Sequence, residues 1–138
     1  MKIITVAAAI ILNDQHQLLV VRKKNTTCFM QVGGKLESNE PPEQALLREI
    51  QEEIGCSAQI QHFVGRFETA TANEIDHQLV AYLYLVSITQ PIQIAAEIEQ
   101  MAWIDLDHRD VLPLAPLTTE VVIPWLQNQL MTERITVD

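Results

Sequence analysis

The sequence has little cysteine and little positive charge. Its two cysteines, Cys28 and Cys56, provide neither a disulfide framework nor the paired spacing of a zinc site, so we expect two reduced thiols. Lys and Arg total 9 against 18 Asp and Glu, a formal net charge of −9 in 138 residues. Binding of a nucleic-acid polymer is therefore disfavoured, because such surfaces need clustered positive charge.

Long apolar runs are also missing, and no segment reaches the length of a membrane helix. The N-terminal MKIITVAAAIIL superficially resembles a secretory signal, but only one basic residue precedes the apolar run, and Asn13-Asp14-Gln15 follows it. A buried first strand is the better interpretation, and we expect a cytoplasmic protein without membrane contact. There is no repeat or linker, and 48% hydrophobic content suits one domain spanning residues 1–138.

The local pattern predicts alternating strands and two helices. Leu46, Leu47, Ile50 and Ile54 form one apolar stripe, which predicts a helix from Pro42 to Ile54 that Gly55 ends with a left-handed cap. Pro124 should kink or shorten the last predicted helix. We expect strands at residues 3–12, 18–22, 60–67, 78–88 and 101–104, and the last helix at 117–131.

Three carboxylates crowd one side of the first predicted helix. Glu49, Glu52 and Glu53 lie within an arc of about 100° at 3.6 residues per turn. Like charges at this spacing each destabilise a helix by roughly 0.2–0.5 kcal/mol. A solvated acidic face with no function would explain them. So would a site for a hard divalent ion such as Mg²⁺, which prefers oxygen ligands.

The surrounding residues favour the metal site and resemble a known motif. Starting at Gly34, the chain has five residues, Glu40, seven residues, and then Arg48-Glu49-Ile50-Gln51-Glu52-Glu53-Ile54-Gly55. This resembles the Nudix box, in particular that of the MutT-type branch, although Cys56 and Val32 stand where an aliphatic residue and a proline are usual. The resemblance implies an α+β fold, an α/β/α sandwich with a mixed central sheet, over nearly the whole chain.

The resemblance also implies an activity, the hydrolysis of a nucleoside diphosphate linked to another group. The substrate would be a small-molecule nucleotide, and the cofactor Mg²⁺ or Mn²⁺. Arg48 would orient a glutamate, and Glu53 is the preferred general base, with Glu52 as the other candidate inside the box. Glu97 is expected as a further metal or base residue, and Glu99 is an alternative to it. The expected metal ligands are the Gly33 carbonyl, Glu49, Glu52, Glu53 and Glu97, with Glu40 acting through water.

The substrate contacts are expected at residues other than the box carboxylates. Arg22, Lys23 and Lys35 are candidates for the phosphates, and Asn73 for the base. ADP-ribose and dinucleoside polyphosphates are disfavoured, because the proline and the tyrosine typical of those subgroups are missing after the box. The MutT-type resemblance implies a nucleoside triphosphate, ordinary or oxidised. Residues 114–119 lack the asparagine of many enzymes that clear oxidised guanine nucleotides, so the choice between the two stays open.

Two further questions stay open at this point. A Nudix-like module that senses a nucleotide without hydrolysing it is the alternative function, although such proteins usually lose box carboxylates and none is lost here. The chain is compatible with a monomer or a homodimer.

Overall fold

The computed structural model describes residues 2–72, 75–89, 91–107 and 111–132. The described residues form six strands and two α-helices. The strands are β1 (Lys2–Ile10), β2 (Leu18–Lys23), β3 (Val32–Lys35), β4 (Ala58–Ala70), β5 (His77–Ile88) and β6 (Ile98–Ile104). The helices are α1 (Pro42–Ile54) and α2 (Ile123–Met131), and a π-helical turn, Thr118–Val122, leads directly into α2.

The strands pair in two sheets. The larger sheet has the order β3-β1-β5-β4 and is mixed, because β1 runs parallel to β5 while β3 and β4 pair antiparallel to their neighbours. The second sheet is the antiparallel pair β2 and β6. The register of β1 and β3 sets Ala8 opposite Gly33 and Ala7 opposite Gly34, which fixes the glycine pair against the centre of the larger sheet.

Alternation along β1 divides the core into two clusters. Ala7 and Ala9 pack on the side of α1 with Leu46, Ile50 and Ile54. Ala8 and Ile10 point to the other side, into the cluster that holds Ile123 and Leu126 of α2. Successive strand residues face opposite sides of a sheet, so one apolar strand can serve both clusters. The α+β fold with helices on both faces of a mixed sheet is confirmed.

The first helix has the bounds that the sequence predicts. Pro42 lies in its first turn, where the missing N–H costs no intrahelical hydrogen bond. Gly55 follows with φ 67° and ψ 24°, a left-handed conformation that glycine adopts without a Cβ clash, and its N–H donates to the Gln51 carbonyl. The helix therefore carries Arg48 and the three box glutamates, Glu49, Glu52 and Glu53, within its length.

Other boundaries differ from the prediction. β4 is longer than the predicted segment 60–67, and its pairing with β5 shifts register near Ile60 and near Phe63. β1 stops at Ile10, and β6 begins earlier, at Ile98. The last helical segment is π-helical before Pro124, which then occupies the first turn of α2, where its missing N–H is tolerated.

No helix among the described residues is both long enough and apolar enough to cross a bilayer. The single domain over residues 1–138 and the monomeric or dimeric state stay predictions.

The core on the α1 side gives a direct test of the fold. Leu46 is fully buried, whereas its neighbour Leu47 is 39% exposed. We expect Leu46→Ala to lower the free energy of unfolding by about 2–5 kcal/mol, because it leaves a cavity. Leu47→Ala, the matched control, should cost much less. Urea denaturation measures both values, and equal losses would contradict this placement of α1.

Candidate active site

The glycine pair lets β3 approach its neighbours more closely than other residues would. Gly33 has φ 152°, and a Cβ there would overlap the Ala7 carbonyl oxygen and lie 2.8 Å from Ala8 Cα. A Cβ on Gly34 would collide with the carboxylate of Glu49 on α1. Glycine is therefore required at Gly33 by the backbone of the adjacent strand, whereas at Gly34 it leaves room for the carboxylate of Glu49.

Glu53 is a buried carboxylate facing this glycine strand. The residue is 1% exposed, and its Oε1 accepts a hydrogen bond of 3.2 Å from the Gly33 N–H. Its other oxygen, Oε2, has no hydrogen-bond partner in the part of the chain that the structure describes. A buried carboxylate oxygen without a partner is costly, and such an atom calls for an explanation by function or by a bound ion.

The surroundings of Glu53 change its acidity. Burial raises the pKa of its carboxyl from 4.5 to about 8, and the charges of Glu49 and Glu97 act in the same direction. The Gly33 N–H and the Lys23 ammonium lower this pKa, but they do not offset the burial. Near neutral pH, the group is therefore poised to hold a proton in the absence of a cation.

One arginine connects the remaining box carboxylates. Arg48 donates from Nε and Nη2 to the two oxygens of Glu40, each at 2.9 Å, in a bidentate pair. Its Nη1 donates to Glu49 Oε1 at 2.9 Å and lies 3.6 Å from Glu52 Oε2. The hydrogen bonds from Arg48, with that from the Glu37 N–H, lower the pKa of Glu40 to about 2. Glu40 therefore stays ionised and anchors the arginine that holds Glu49.

The three helical carboxylates differ in exposure. The side chain of Glu49 is 14% exposed and lies against Gly34, whereas the side chain of Glu52 is 52% exposed. The structure thus brings Glu49 and Glu53 to the glycine strand. It leaves Glu52 at the solvent side of the helix, near Arg48.

Backbone hydrogen bonds bring the segment before β6 to the end of α1. The N–H of Ala95 donates to the Glu53 carbonyl at 3.0 Å, and the N–H of Gln93 donates to the Ile54 carbonyl at 2.9 Å. Glu97 follows, and its Oε1 lies 3.3 Å from Lys23 Nζ. The charge of Glu97 also raises the pKa of Glu53, so the two carboxylates are near enough to interact electrostatically. Glu99 is an exposed residue of β6.

Two of the three predicted phosphate contacts line one cavity, and the third does not. Lys23 and Lys35 line a cavity beside the glycine strand. Arg22 is not among the described lining residues, and its guanidinium instead bonds to the Gln100 side chain and the Thr26 carbonyl. Asn73 lies outside the described residues.

The cavity has a volume of about 200 Å³ and walls that are mainly apolar. Gln31 and Thr118 line it as buried polar residues, and the sequence analysis did not single them out for function. One signal was available for Gln31, a polar residue inside the otherwise apolar segment that leads to the glycines. The other lining residues include Ile4, Val6, Met30, Ala70, Thr71, Leu79, Ala115 and Leu117.

The donor atoms at the glycine strand suit a divalent cation. They are carboxylate oxygens, the ligands that Mg²⁺ and Mn²⁺ prefer, and Glu53 Oε2 is unsatisfied. Within the described ranges, however, no three His, Cys, Asp or Glu side chains already form a group that could hold a metal. The outward position of Glu52 is consistent with this. The predicted ligands are thus close in the fold but are not arranged as a complete cage.

Several known proteins are similar to this chain in sequence or in structure. An 8-oxo-dGTP diphosphatase of Haemophilus influenzae is 32% identical over 127 residues, covering 88% of this chain and 90% of the relative. A CTP pyrophosphohydrolase of Escherichia coli is 33% identical over 119 residues, covering 84% and 86%. The solution structure of the E. coli ORF135 protein is similar with a TM-score of 0.69 and 28% identity, covering 97% of this chain and 92% of that one.

A family model, the NUDIX domain, matches residues 1–126. With the box residues on α1 and the relatives above, the match identifies the chain as a member of the Nudix family, a MutT-like pyrophosphohydrolase.

Proposed function

We propose that this protein hydrolyses a (deoxy)nucleoside triphosphate, ordinary or oxidised, to the monophosphate and pyrophosphate, with Mg²⁺ or Mn²⁺ as cofactor. The observation that carries the proposal is the buried carboxylate of Glu53. One of its oxygens has no hydrogen-bond partner among the described residues, and the other accepts from Gly33, which lines the cavity. The 8-oxo-dGTP and CTP activities of the relatives support a triphosphate substrate.

The residues of the site would hold the cation and the phosphates. Glu49, Glu53 and the Gly33 carbonyl would hold the cation, with Glu52 and Glu97 as further ligands and Glu40 contributing through water. A divalent cation in this position would neutralise phosphate charge and acidify a bound water. Lys23 and Lys35, at the cavity wall, would bind phosphate oxygens.

Proton transfer falls to Glu53 in this proposal. Its carboxylate is buried against the glycine strand, and its Oε2, which has no hydrogen-bond partner among the described residues, is placed to accept a proton from a bound water. Arg48 is a positioning residue, because its hydrogen bonds hold Glu40 and Glu49 rather than the reacting atoms. The cytoplasmic location expected from the sequence stays a prediction.

The activity test uses a panel of nucleoside triphosphates with Mg²⁺ and follows pyrophosphate release. We expect Glu53→Gln to lower kcat by about 10²–10⁴-fold, because the amide keeps the size of the side chain but cannot accept the proton. Glu43→Gln is the matched control, since it removes one exposed charge from the same helix and should leave turnover unchanged. Wild-type turnover by Glu53→Gln would dismiss this assignment, and tight nucleotide binding without product would support a sensor.

The pKa of Glu53 also predicts how stability depends on pH. Between about pH 4.5 and pH 8, the unfolded chain has released a proton that the folded carboxyl retains. The ionisation then favours unfolding, so this group lowers stability as pH rises through that window. In EDTA, we expect the free energy of unfolding of Glu53→Gln to rise relative to wild type from pH 5 to pH 8, as measured by urea denaturation.

Adding Mg²⁺ or Mn²⁺ at pH 8 should reverse this difference. A cation that binds only the folded state stabilises it, and the gain should be larger for wild type than for Glu53→Gln. Parallel pH curves for the two proteins, with no differential effect of metal, would contradict a metal site at Glu53.

A further inference from the structure

Lys23 has two neighbours of different kinds at the active site. Its ammonium nitrogen, Nζ, lies 3.3 Å from Glu97 Oε1, so the two side chains form an ion pair. The same residue lines the cavity together with Gly33 and Gly34. Lys23 is therefore located between a predicted metal ligand and the place where the phosphates are proposed to bind.

The backbone places Lys23 beside Glu97 without help from their charges. The Lys24 N–H donates to the Glu97 carbonyl at 2.8 Å, and Lys23 pairs with Ile98 where β2 meets β6. The register shifts between Arg22 and Lys23, an irregularity of the kind that redirects side chains at functional sites. Loss of the Lys23 ammonium would thus leave the backbone of Glu97 in place.

Both side chains also act on the buried carboxylate of Glu53. Burial is the largest influence on the pKa of Glu53 and raises it, while the Lys23 ammonium lowers this pKa and the Glu97 charge raises it. The ammonium therefore offsets part of the repulsion between the two glutamates. A divalent cation held by the same two carboxylates would offset that repulsion as well, so the cation and the ammonium compete for Glu97.

We propose that Lys23 is paired with Glu97 in the metal-free site and is released to the substrate phosphates when a cation binds Glu97. The inference rests on the proposed function, since it takes Glu97 as a metal ligand and the cavity as the phosphate site. An ammonium beside a carboxylate attracts a phosphate less than an unpaired one, because the carboxylate repels the anion. Metal binding then strengthens phosphate binding, and phosphate strengthens metal binding by the same factor.

The first measurement uses Mn²⁺ alone, in calorimetric titrations of the full chain without nucleotide. We expect Lys23→Gln to tighten Mn²⁺ binding about two- to fivefold, since the cation no longer displaces an ammonium from Glu97. The gain is modest because the two side chains of the pair are 28% and 60% exposed. Lys24→Gln is the matched control. It removes one charge from the adjacent, exposed position and should change the affinity less.

A double-mutant cycle separates this competition from a general loss of positive charge. In Glu97→Gln, the carboxylate for which the lysine and the cation compete is gone. Adding Lys23→Gln to that variant should therefore tighten Mn²⁺ binding less than it does in the wild type. Equal gains in the two backgrounds, or no gain from Lys23→Gln in the wild type, would overturn the inference.

The second measurement tests the release of the ammonium to the phosphates. Inorganic pyrophosphate is the probe, because its binding does not depend on the choice of base, and its affinity is measured by calorimetry at saturating Mg²⁺. We expect Lys23→Gln to weaken this affinity about tenfold or more, the effect of losing one hydrogen bond between charged groups. Lys24→Gln should keep the wild-type affinity. An unchanged affinity in Lys23→Gln would refute the release.

The failure of this inference is distinguishable from that of the proposed function. If no triphosphate is hydrolysed but the Mn²⁺ cycle shows the expected coupling, the proposed hydrolysis is wrong and the role of Lys23 stands. If triphosphates are hydrolysed but Lys23→Gln gives equal Mn²⁺ gains with and without Glu97, the hydrolysis stands and the role of Lys23 is wrong.

Discussion

The site depends on the burial of one carboxylate against one backbone amide. Glu53 lies in the interior because α1 packs on β3, and within the described part of the chain its carboxylate accepts one hydrogen bond, from Gly33. That contact requires glycine, since a Cβ on Gly33 would overlap β1. The same burial raises the pKa of the carboxyl and leaves Oε2 without a hydrogen-bond partner among the residues that the structure describes. The ionised carboxylate of Glu53 thus destabilises the folded protein at the position where a cation or a proton could bind. Such locally unfavourable groups are common at functional sites.

The repulsion among the other carboxylates is relieved by Arg48. A guanidinium offers five N–H donors in a planar fork, and here one arginine serves Glu40 with two of them and Glu49 with a third. Lysine could not hold two carboxylates in this bidentate geometry. Because Glu40 precedes α1 and Glu49 lies within it, the arginine also joins the loop between β3 and α1 to the helix. The crowded charges on α1 are therefore part of a connected set rather than a solvated face.

The sequence predicts well what depends on local patterns. The bounds of α1 follow from its apolar stripe, its N-terminal prolines and Gly55, because caps and periodicity act within a few residues. Contacts between distant segments leave no such signal. Neither the docking of Gln93 and Ala95 on the end of α1 nor the bond from Thr118 to Gln31 can be read from spacing. Arg22 shows the same limit, since the partner that draws it away from the cavity, Gln100, is 78 positions along the chain.

Gln31 and the strand β3 that follows it lie between the core beside α1 and the cavity. On the side of α1, Val32 packs in the core and Gly33 bonds to Glu53. Gln31 lies in the neighbouring cavity with Thr118, where the described lining is mainly apolar and includes Lys23 and Lys35. Gly33 and Gly34 also line that cavity, so no side chain separates the two environments at this point. A ligand in the cavity would therefore lie against the same two backbone residues that contact Glu49 and Glu53. This shared backbone would couple the position of the ligand to the position of the two carboxylates.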